Sequence, residues 1–260
     1  MIVYYYSATG NSLYVAKEIA GGINDSTLMS IPRQLDQPGP VDEKDIVGLV
    51  FPMHYFGVPP LVREFIEKLE LKPSTYVFAV VTCGHHAFGS ALYQISRLLQ
   101  DKGKKLDAGF YIDMISNYIP LSELPPPAQR RERLVKADEK VRQIVRMIKE
   151  RQHIVEPEYF RWPCQAINSY WRSSLLPRSQ AKFTNSAACT GCGMCAEVCP
   201  VENIRLESGK PIWQNHCQEC LGCLHICPVQ SIDFGKTQGR TRYRHPKVAA
   251  AELIQTKAER

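Results

Sequence analysis

Two short runs of cysteine constrain this chain more than any other feature. Cys189, Cys192, Cys195 and Cys199 precede Pro200, and Cys217, Cys220, Cys223 and Cys227 precede Pro228. Both runs read C-x2-C-x2-C-x3-C-P, and each cysteine of the first recurs 28 residues later in the second. Val201 and Ile204 recur at the same offset as Val229 and Ile232, so a short unit is duplicated. Of the ten cysteines, only Cys83 and Cys164 stand apart. A disulfide framework needs an oxidising compartment. The opening MIVYYYSATGNS has neither the basic n-region nor the cleavage site of a secretory signal, so a cytoplasmic location and metal ligation are expected.

Thiolates suit iron–sulfur clusters or zinc. A structural zinc site normally uses two separated C-x2-C pairs. Three cysteines at two-residue gaps instead wrap one face of a cubane, while the fourth, held before proline, reaches the other cluster. One expected ligand set is therefore Cys189, Cys192, Cys195 and Cys227, and the other is Cys217, Cys220, Cys223 and Cys199. Gly191, Gly193 and Gly222 sit between ligands, where the backbone must turn tightly. Over residues 184–235 the block resembles a bacterial-type ferredoxin with two [4Fe–4S] clusters. That resemblance implies a small α+β domain and an electron path; a four-cysteine zinc module or purely structural clusters are the weaker readings.

The N-terminal half alternates between two periodicities. Apolar runs at 2–6, 45–51, 76–82 and 108–114, with a weaker one near 27–31, read as buried strands. Residues 60–71, 89–100 and 130–152 read as helices with one apolar face, as does the segment opening at Leu13. Alternating elements with continuous apolar strands imply a parallel sheet covered by helices. Ligands of such sheets sit beyond the carboxyl ends of the strands. The loops there are 7–12, 52–59, 82–89 and 115–120. The first, Ser7-Ala8-Thr9-Gly10-Asn11-Ser12, places hydroxyls and a glycine at a helix N-terminus, an arrangement that favours an anion. The others carry Met53, His54, Tyr55, Phe56, His85, His86, Asn117 and Tyr118, which suit a flat heterocycle with a phosphate tail.

Ser7-x-Thr9-Gly10-Asn11-Ser12 matches the flavodoxin loop (S/T)-x-T-G-x-(T/S), and it follows the first strand directly. Residues 1–152 thus resemble a flavodoxin. The resemblance implies a doubly wound parallel α/β sheet of order 2-1-3-4-5, and FMN as cofactor. It also implies that Ser7, Thr9, Gly10, Asn11 and Ser12 hold the phosphate. Pro52, Met53, His54, Tyr55, Phe56, Gly57, Thr82, Cys83, Gly84 and His85 would flank the ring. Many flavodoxins stack a tryptophan on the flavin. The three here, Trp162, Trp171 and Trp213, lie far from those loops in sequence, so Tyr55, Phe56 or His86 is expected to serve instead. Trp162 and Trp171 are expected to pack between the domains, within a linker at 153–183. His85, His86 and Tyr118 are the candidate proton donors. Cys83 and His54 read as packing residues.

The whole chain resembles the flavodoxin–ferredoxin fusion family of anaerobes. Its net charge of +6 is uneven: residues 114–183 and 236–260 are basic and flank the acidic cysteine block. The tail at 236–260, which carries Arg242-Tyr243-Arg244-His245-Pro246 and a short helix over 248–255, is expected to fold back on the protein's own acidic surface. Docking to an acidic redox partner is the alternative, and nucleic acid is not expected because no groove-reading element appears. No run of 18 apolar residues exists, so no membrane span is expected. The expected function is electron transfer between the clusters, FMN and one-electron redox partner proteins. The alternative is an FMN-dependent oxidoreductase that reduces a small substrate with electrons from its own ferredoxin domain.

Overall fold

Strands apolar along their whole length need cover on both faces, and the computed structural model, which describes residues 1–35 and 45–254, provides it. Ile2–Tyr5 (β1), Thr27–Ser30 (β2), Ile46–Pro52 (β3), Tyr76–Cys83 (β4), Ala108–Asp113 (β5) and Ile154–Val155 (β6) form one sheet. Its order is β2-β1-β3-β4-β5-β6 and every pairing is parallel. This is the expected 2-1-3-4-5 order with a two-residue strand added at one edge.

Helices Asn11–Gly22 (α1), Ile31–Gln34 (α2), Pro60–Lys68 (α3), Ala91–Gln100 (α4) and Pro127–Lys149 (α5) connect and cover the strands. The pleat divides their work. Val3, Tyr5, Val50, Phe78 and Phe110 face Leu13, Val15, Ile19, Val141 and Ile144 of α1 and α5. Tyr4, Leu49, Phe51, Val77 and Val81 face Leu61, Phe65, Ile95 and Leu99 of α3 and α4. Burial of these side chains is the main stabilising term, roughly 1.5–3 kcal/mol for each large apolar group.

The segment expected as a linker is folded. Arg161–Tyr170 (α6) runs into a π-helical turn, Trp171–Leu175, and then a 3-10 stretch, Leu176–Lys182. No apolar stripe announces α6, because its large apolar residues Trp162, Ile167 and Tyr170 are exposed while polar Asn168 is buried. Trp162 is not between the domains: it lies on the surface against Tyr93, with the Arg161 guanidinium over both rings.

The cysteine-rich region comprises Phe183–Asn185 (β7), Met194–Glu197 (α7), Ile204–Glu207 (β8), Lys210–Trp213 (β9), Gly222–Ile226 (α8) and Ile232–Phe234 (β10). Strand β7 pairs antiparallel with β10, and β8 with β9. Leu221, Leu224, Ile226 and Ile232 belong to the same buried cluster as the α1 and α5 face of the sheet. The tail carries Ala250–Ile254 (α9), which begins two residues later than the expected helix; Gln255 of that expectation lies outside the described residues. Among the described residues no helix is long and apolar enough to cross a membrane.

The sheet is tightest at Gly48, whose cross-strand partner is Phe78. A Cβ at Gly48 would lie 2.2 Å from Phe78 Cζ. Gly48→Ala is therefore expected to destabilise the protein by about 1–3 kcal/mol through overpacking. The readout is the denaturation midpoint; an unchanged midpoint would mean that the ring moves aside freely.

Candidate functional site

Four loops at the carboxyl edge of the sheet enclose one pocket. Ser7, Ala8, Thr9, Asn11 and Ser12 contribute from the loop after β1, and Pro52, Met53 and His54 from the loop after β3. Thr82, Cys83 and Gly84 come from the end of β4, and Ile115, Ser116, Asn117 and Tyr118 from the loop after β5. Thr9, Asn11 and Ser12 are buried, and no acidic side chain occupies the first turn of α1. The helix opens on Gly10 in a left-handed conformation, and Tyr14 N–H makes the first intrahelical bond, to the Gly10 carbonyl. The N–H groups preceding it have no helical acceptor. Ser12 and Thr82 share one hydroxyl–hydroxyl bond of 2.7 Å, leaving one of their protons for a ligand. Asn117 Nδ2 donates to Thr9 Oγ1 at 2.7 Å, leaving the threonine proton free as well. Donors, a helix N-terminus and the absence of acid fit a phosphate.

Several expected ring residues lie outside this pocket. His54 and Gly57 close a two-residue hairpin by reciprocal backbone bonds, with Tyr55 and Phe56 at its tip at φ of +42° and +66°. Positive φ at two non-glycine residues costs roughly 1–3 kcal/mol each. The turn persists because α6 clamps it: Asn168 Nδ2 donates to the His54 carbonyl at 2.9 Å. Tyr55 is thereby lifted away from the pocket and its ring stacks on Trp171, with centroids 4.6 Å apart. A tryptophan does reach these loops, contrary to the sequence expectation, but it backs Tyr55. His85 and His86 are outside too. His86 Nδ1 pairs with Asp113 Oδ2 at 2.8 Å on an exposed surface, where it borders a separate groove along α5. Cys83 donates to Asp113 Oδ1, and burial, with that carboxylate beside it, pushes the thiol well above its ordinary value.

None of the eight duplicated cysteines is in a disulfide, and they ring two cavities. Cys189, Cys192, Cys195 and Cys227 line one, with Leu206 and Val229. Cys199, Cys217, Cys220 and Cys223 line the other, with Phe183 and Trp213. The fourth cysteine of each run has crossed to the other run's cavity. Among the described residues no three ligating side chains are grouped closely enough for a single metal ion; the sulfurs surround a volume. Backbone N–H groups of Asn203, Glu219 and Ser231 donate to the sulfurs of Cys199, Cys217 and Cys227 at 3.2–3.3 Å. Two buried donors, the Tyr6 hydroxyl beside Cys220 and the Trp213 indole beside Cys223, have no hydrogen-bond partner of good geometry. Sulfur-rich clusters would supply the acceptors these donors lack. Burial pushes the Cys217 thiol up to about 12 and Cys195 up to about 11, and a cationic cluster core beside them would favour the thiolates instead.

The two sites share a wall. Gly222, between two cysteines, packs on the carbonyl of Ala8 in the phosphate loop, since a Cβ there would sit 3.5 Å from it. Glu219, only 4% exposed, accepts bonds from Tyr118 at 2.7 Å, Tyr55 at 2.9 Å and the Trp171 indole at 3.2 Å. The Tyr55 and Tyr118 hydroxyls also touch each other, so the three contacts among these oxygens share two hydroxyl protons. Burial raises the pKa of both tyrosines, Tyr55 to about 12. Sequence reasoning did not find Glu219, Tyr6 or Trp171 as site residues. Each owes its place to contacts across the domain boundary, and no local pattern marks it.

Residues 3–114 match the family model for flavodoxin, and residues 188–232 match the model for the 4Fe-4S dicluster domain. No curated protein matches the chain. Solved structures resemble it distantly. A flavodoxin from the domain Archaea is 17% identical, covering 56% of this chain and 97% of its own, with a TM-score of 0.34. Rubredoxin oxygen:oxidoreductase from the anaerobe Desulfovibrio gigas is 16% identical, covering 58% and 36%, with a TM-score of 0.38. An FMN-dependent NADH-azoreductase from Bacillus anthracis is 8% identical, covering 55% and 98%, with a TM-score of 0.33.

Two measurements follow from this geometry. Glu219→Ala leaves the Trp171 indole and one of the two tyrosine hydroxyls without an acceptor and is expected to destabilise the protein by about 2 kcal/mol or more, with Glu219→Gln losing less. Equal midpoints for wild type and Glu219→Ala would refute the role. Burial holds His54 and His245 down to about 4, against about 6.5 in an unfolded chain. As pH falls from about 6.5 to about 4, the unfolded chain binds protons that the folded chain refuses, so stability falls across that window. A His54→Gln/His245→Gln variant should show a shallower loss between pH 7 and 4.5.

Proposed function

We propose that this chain, a flavodoxin domain followed by a 4Fe-4S dicluster ferredoxin domain as in the flavodoxin–ferredoxin fusions, passes electrons between two [4Fe–4S] clusters and a bound FMN, and so to or from one-electron redox partners. The wall shared by the two sites carries this reading. Tyr118 lines the flavin pocket and donates to Glu219, whose own N–H donates to Cys217 Sγ. When bound, FMN can exchange one or two electrons and each cluster one, and that chemistry belongs to the cofactors.

The chain's part is to hold, space and shield. In this reading Cys189, Cys192, Cys195 and Cys227 carry the outer cluster, and Cys192 is exposed where a partner would dock. Cys199, Cys217, Cys220 and Cys223 carry the inner cluster, against Tyr6 and Ala8. Ser7, Thr9, Asn11 and Ser12 take the phosphate, while Met53, His54, Thr82, Cys83, Gly84 and Tyr118 border the ring. A substrate-reducing enzyme would need a proton donor at the flavin. His85 and His86 lie outside the pocket, the His54 ring that lines it is held down to about 4 by burial and so is neutral, and the Tyr118 hydroxyl is engaged by Tyr55 and Glu219 with its pKa raised by burial. A carrier needs no such donor, so the carrier is the better supported reading.

Anaerobically purified protein is expected to contain about eight iron, about eight sulfide and about one FMN per chain. Iron without flavin would remove the FMN assignment, and zinc in place of iron would overturn the redox reading. Ligation across the runs has its own check. Cys227→Ala should lose the same cluster signal as Cys192→Ala, and Cys199→Ala the same signal as Cys220→Ala, by electron paramagnetic resonance after reduction.

A further inference from the structure

The basic C-terminal segment lies as a strap over the phosphate loop. Tyr243, His245 and Val248 are buried. Gly10 has φ of +97°, and a Cβ there would come within 3.0 Å of the Cβ atoms of both His245 and Val248. Two hydrogen bonds join strap to loop. The His245 N–H donates to the Thr9 carbonyl at 2.8 Å, and the Tyr243 hydroxyl donates to Asn11 Oδ1 at 2.7 Å. The His245 ring stacks on Tyr14 of α1, with centroids 4.2 Å apart. The strap's other end is anchored in the cysteine-rich domain. Arg242 donates to Asp233 Oδ1 at 2.7 Å and to the Ile232 carbonyl at 2.8 Å, and the Tyr243 N–H donates to His225 Nδ1 at 3.0 Å.

We propose that this strap is a working part of the FMN-phosphate site: Tyr243 and the His245 backbone hold the loop's peptide groups in the orientation that accepts an anion. The proposal rests on the FMN reading above. The peptide joining Thr9 to Gly10 is fixed at both ends, its carbonyl by His245 and its N–H by Ser7 Oγ at 3.1 Å. If that peptide rotated, its carbonyl oxygen could turn toward the phosphate, and like partial charges would repel. The Asn11 amide is fixed in the same way. Its Nδ2 donates to the Ile115 carbonyl at 3.0 Å and its oxygen is held by Tyr243. With both groups pinned, the N–H groups at the start of α1 are what the anion meets. Tyr243 is a positioning residue: it touches the loop and acts through Asn11.

The test titrates FMN and riboflavin separately into flavin-free protein that retains its iron, comparing wild type with Tyr243→Phe. Loss of one such hydrogen bond is expected to raise the FMN Kd about tenfold. Riboflavin affinity should change little, because riboflavin lacks the phosphate, and iron content should not change. A chain ending at residue 239 removes both strap–loop bonds and should lose more FMN affinity. Unchanged FMN affinity in Tyr243→Phe would overturn the proposal, as would equal weakening of FMN and riboflavin. Should wild type bind no FMN, the functional reading fails and this inference falls with it; should wild type bind FMN and the variant bind it equally, only the strap's role fails.

Discussion

A carboxylate buried inside a protein must find donors, and Glu219 finds three, none of them charged: the hydroxyls of Tyr55 and Tyr118 and the indole of Trp171. They arrive from the loop after β3, the loop after β5 and the π-helical turn after α6. Glu219 itself stands between two cysteines of the inner cavity. Leaving any of these groups unpaired would carry a desolvation penalty of about 1–3 kcal/mol, and more for the charge. The interaction is therefore nearly all-or-none, and it fixes how the cysteine-rich domain sits on the sheet. The strained Tyr55–Phe56 turn is tolerable for the same reason, since its tip supplies one of the donors.

The cysteine-rich domain could not stand this way on its own packing. A unit of about 50 residues buries too little apolar surface for a substantial independent core. Leu221, Leu224, Ile226 and Ile232 instead join the cluster built by α1, α5 and one face of the sheet. The former linker is part of the same solution. Its α6 clamps the His54–Gly57 turn through Asn168, and its π-helical turn delivers Trp171. Phosphate loop, ring loops and inner cysteine cavity are thus parts of one packed body.

What could be read from the sequence follows from how far apart the determinants lie. The cysteine runs encode their chemistry within eleven residues each, so two crossed ligand sets can be written from the sequence alone, and each of the two cavities is lined by one of those sets of four. The sheet was equally legible, because continuous apolar strands alternating with one-sided helices admit few architectures. The ring loops are read from the resemblance alone, and what their side chains do depends on distant partners: a hairpin at positive φ brings Tyr55 to Trp171 and Glu219, and Asp113 pairs with His86 at the surface. Trp171 is distant in sequence from the loops it meets, so no local pattern ties it to them. The contact between Asn11 and Tyr243 spans 232 positions and leaves no periodic trace.

These long-range contacts have one consequence in common, which is rigidity where electron transfer needs it. Tunnelling falls off steeply with separation, so two redox sites on a flexible tether would exchange electrons only during rare close encounters. Here the loop that would hold a flavin phosphate is gripped from two sides. Gly222 presses on Ala8 from the cysteine-rich domain, and the strap lies on Gly10 from the tail. Both contacts begin in the segment that follows the first cysteine run. Folding the duplicated unit therefore completes the flavin site, and docking it on the sheet completes its own core. The two halves share one buried cluster, and the spacing between the two sites is set by that packing.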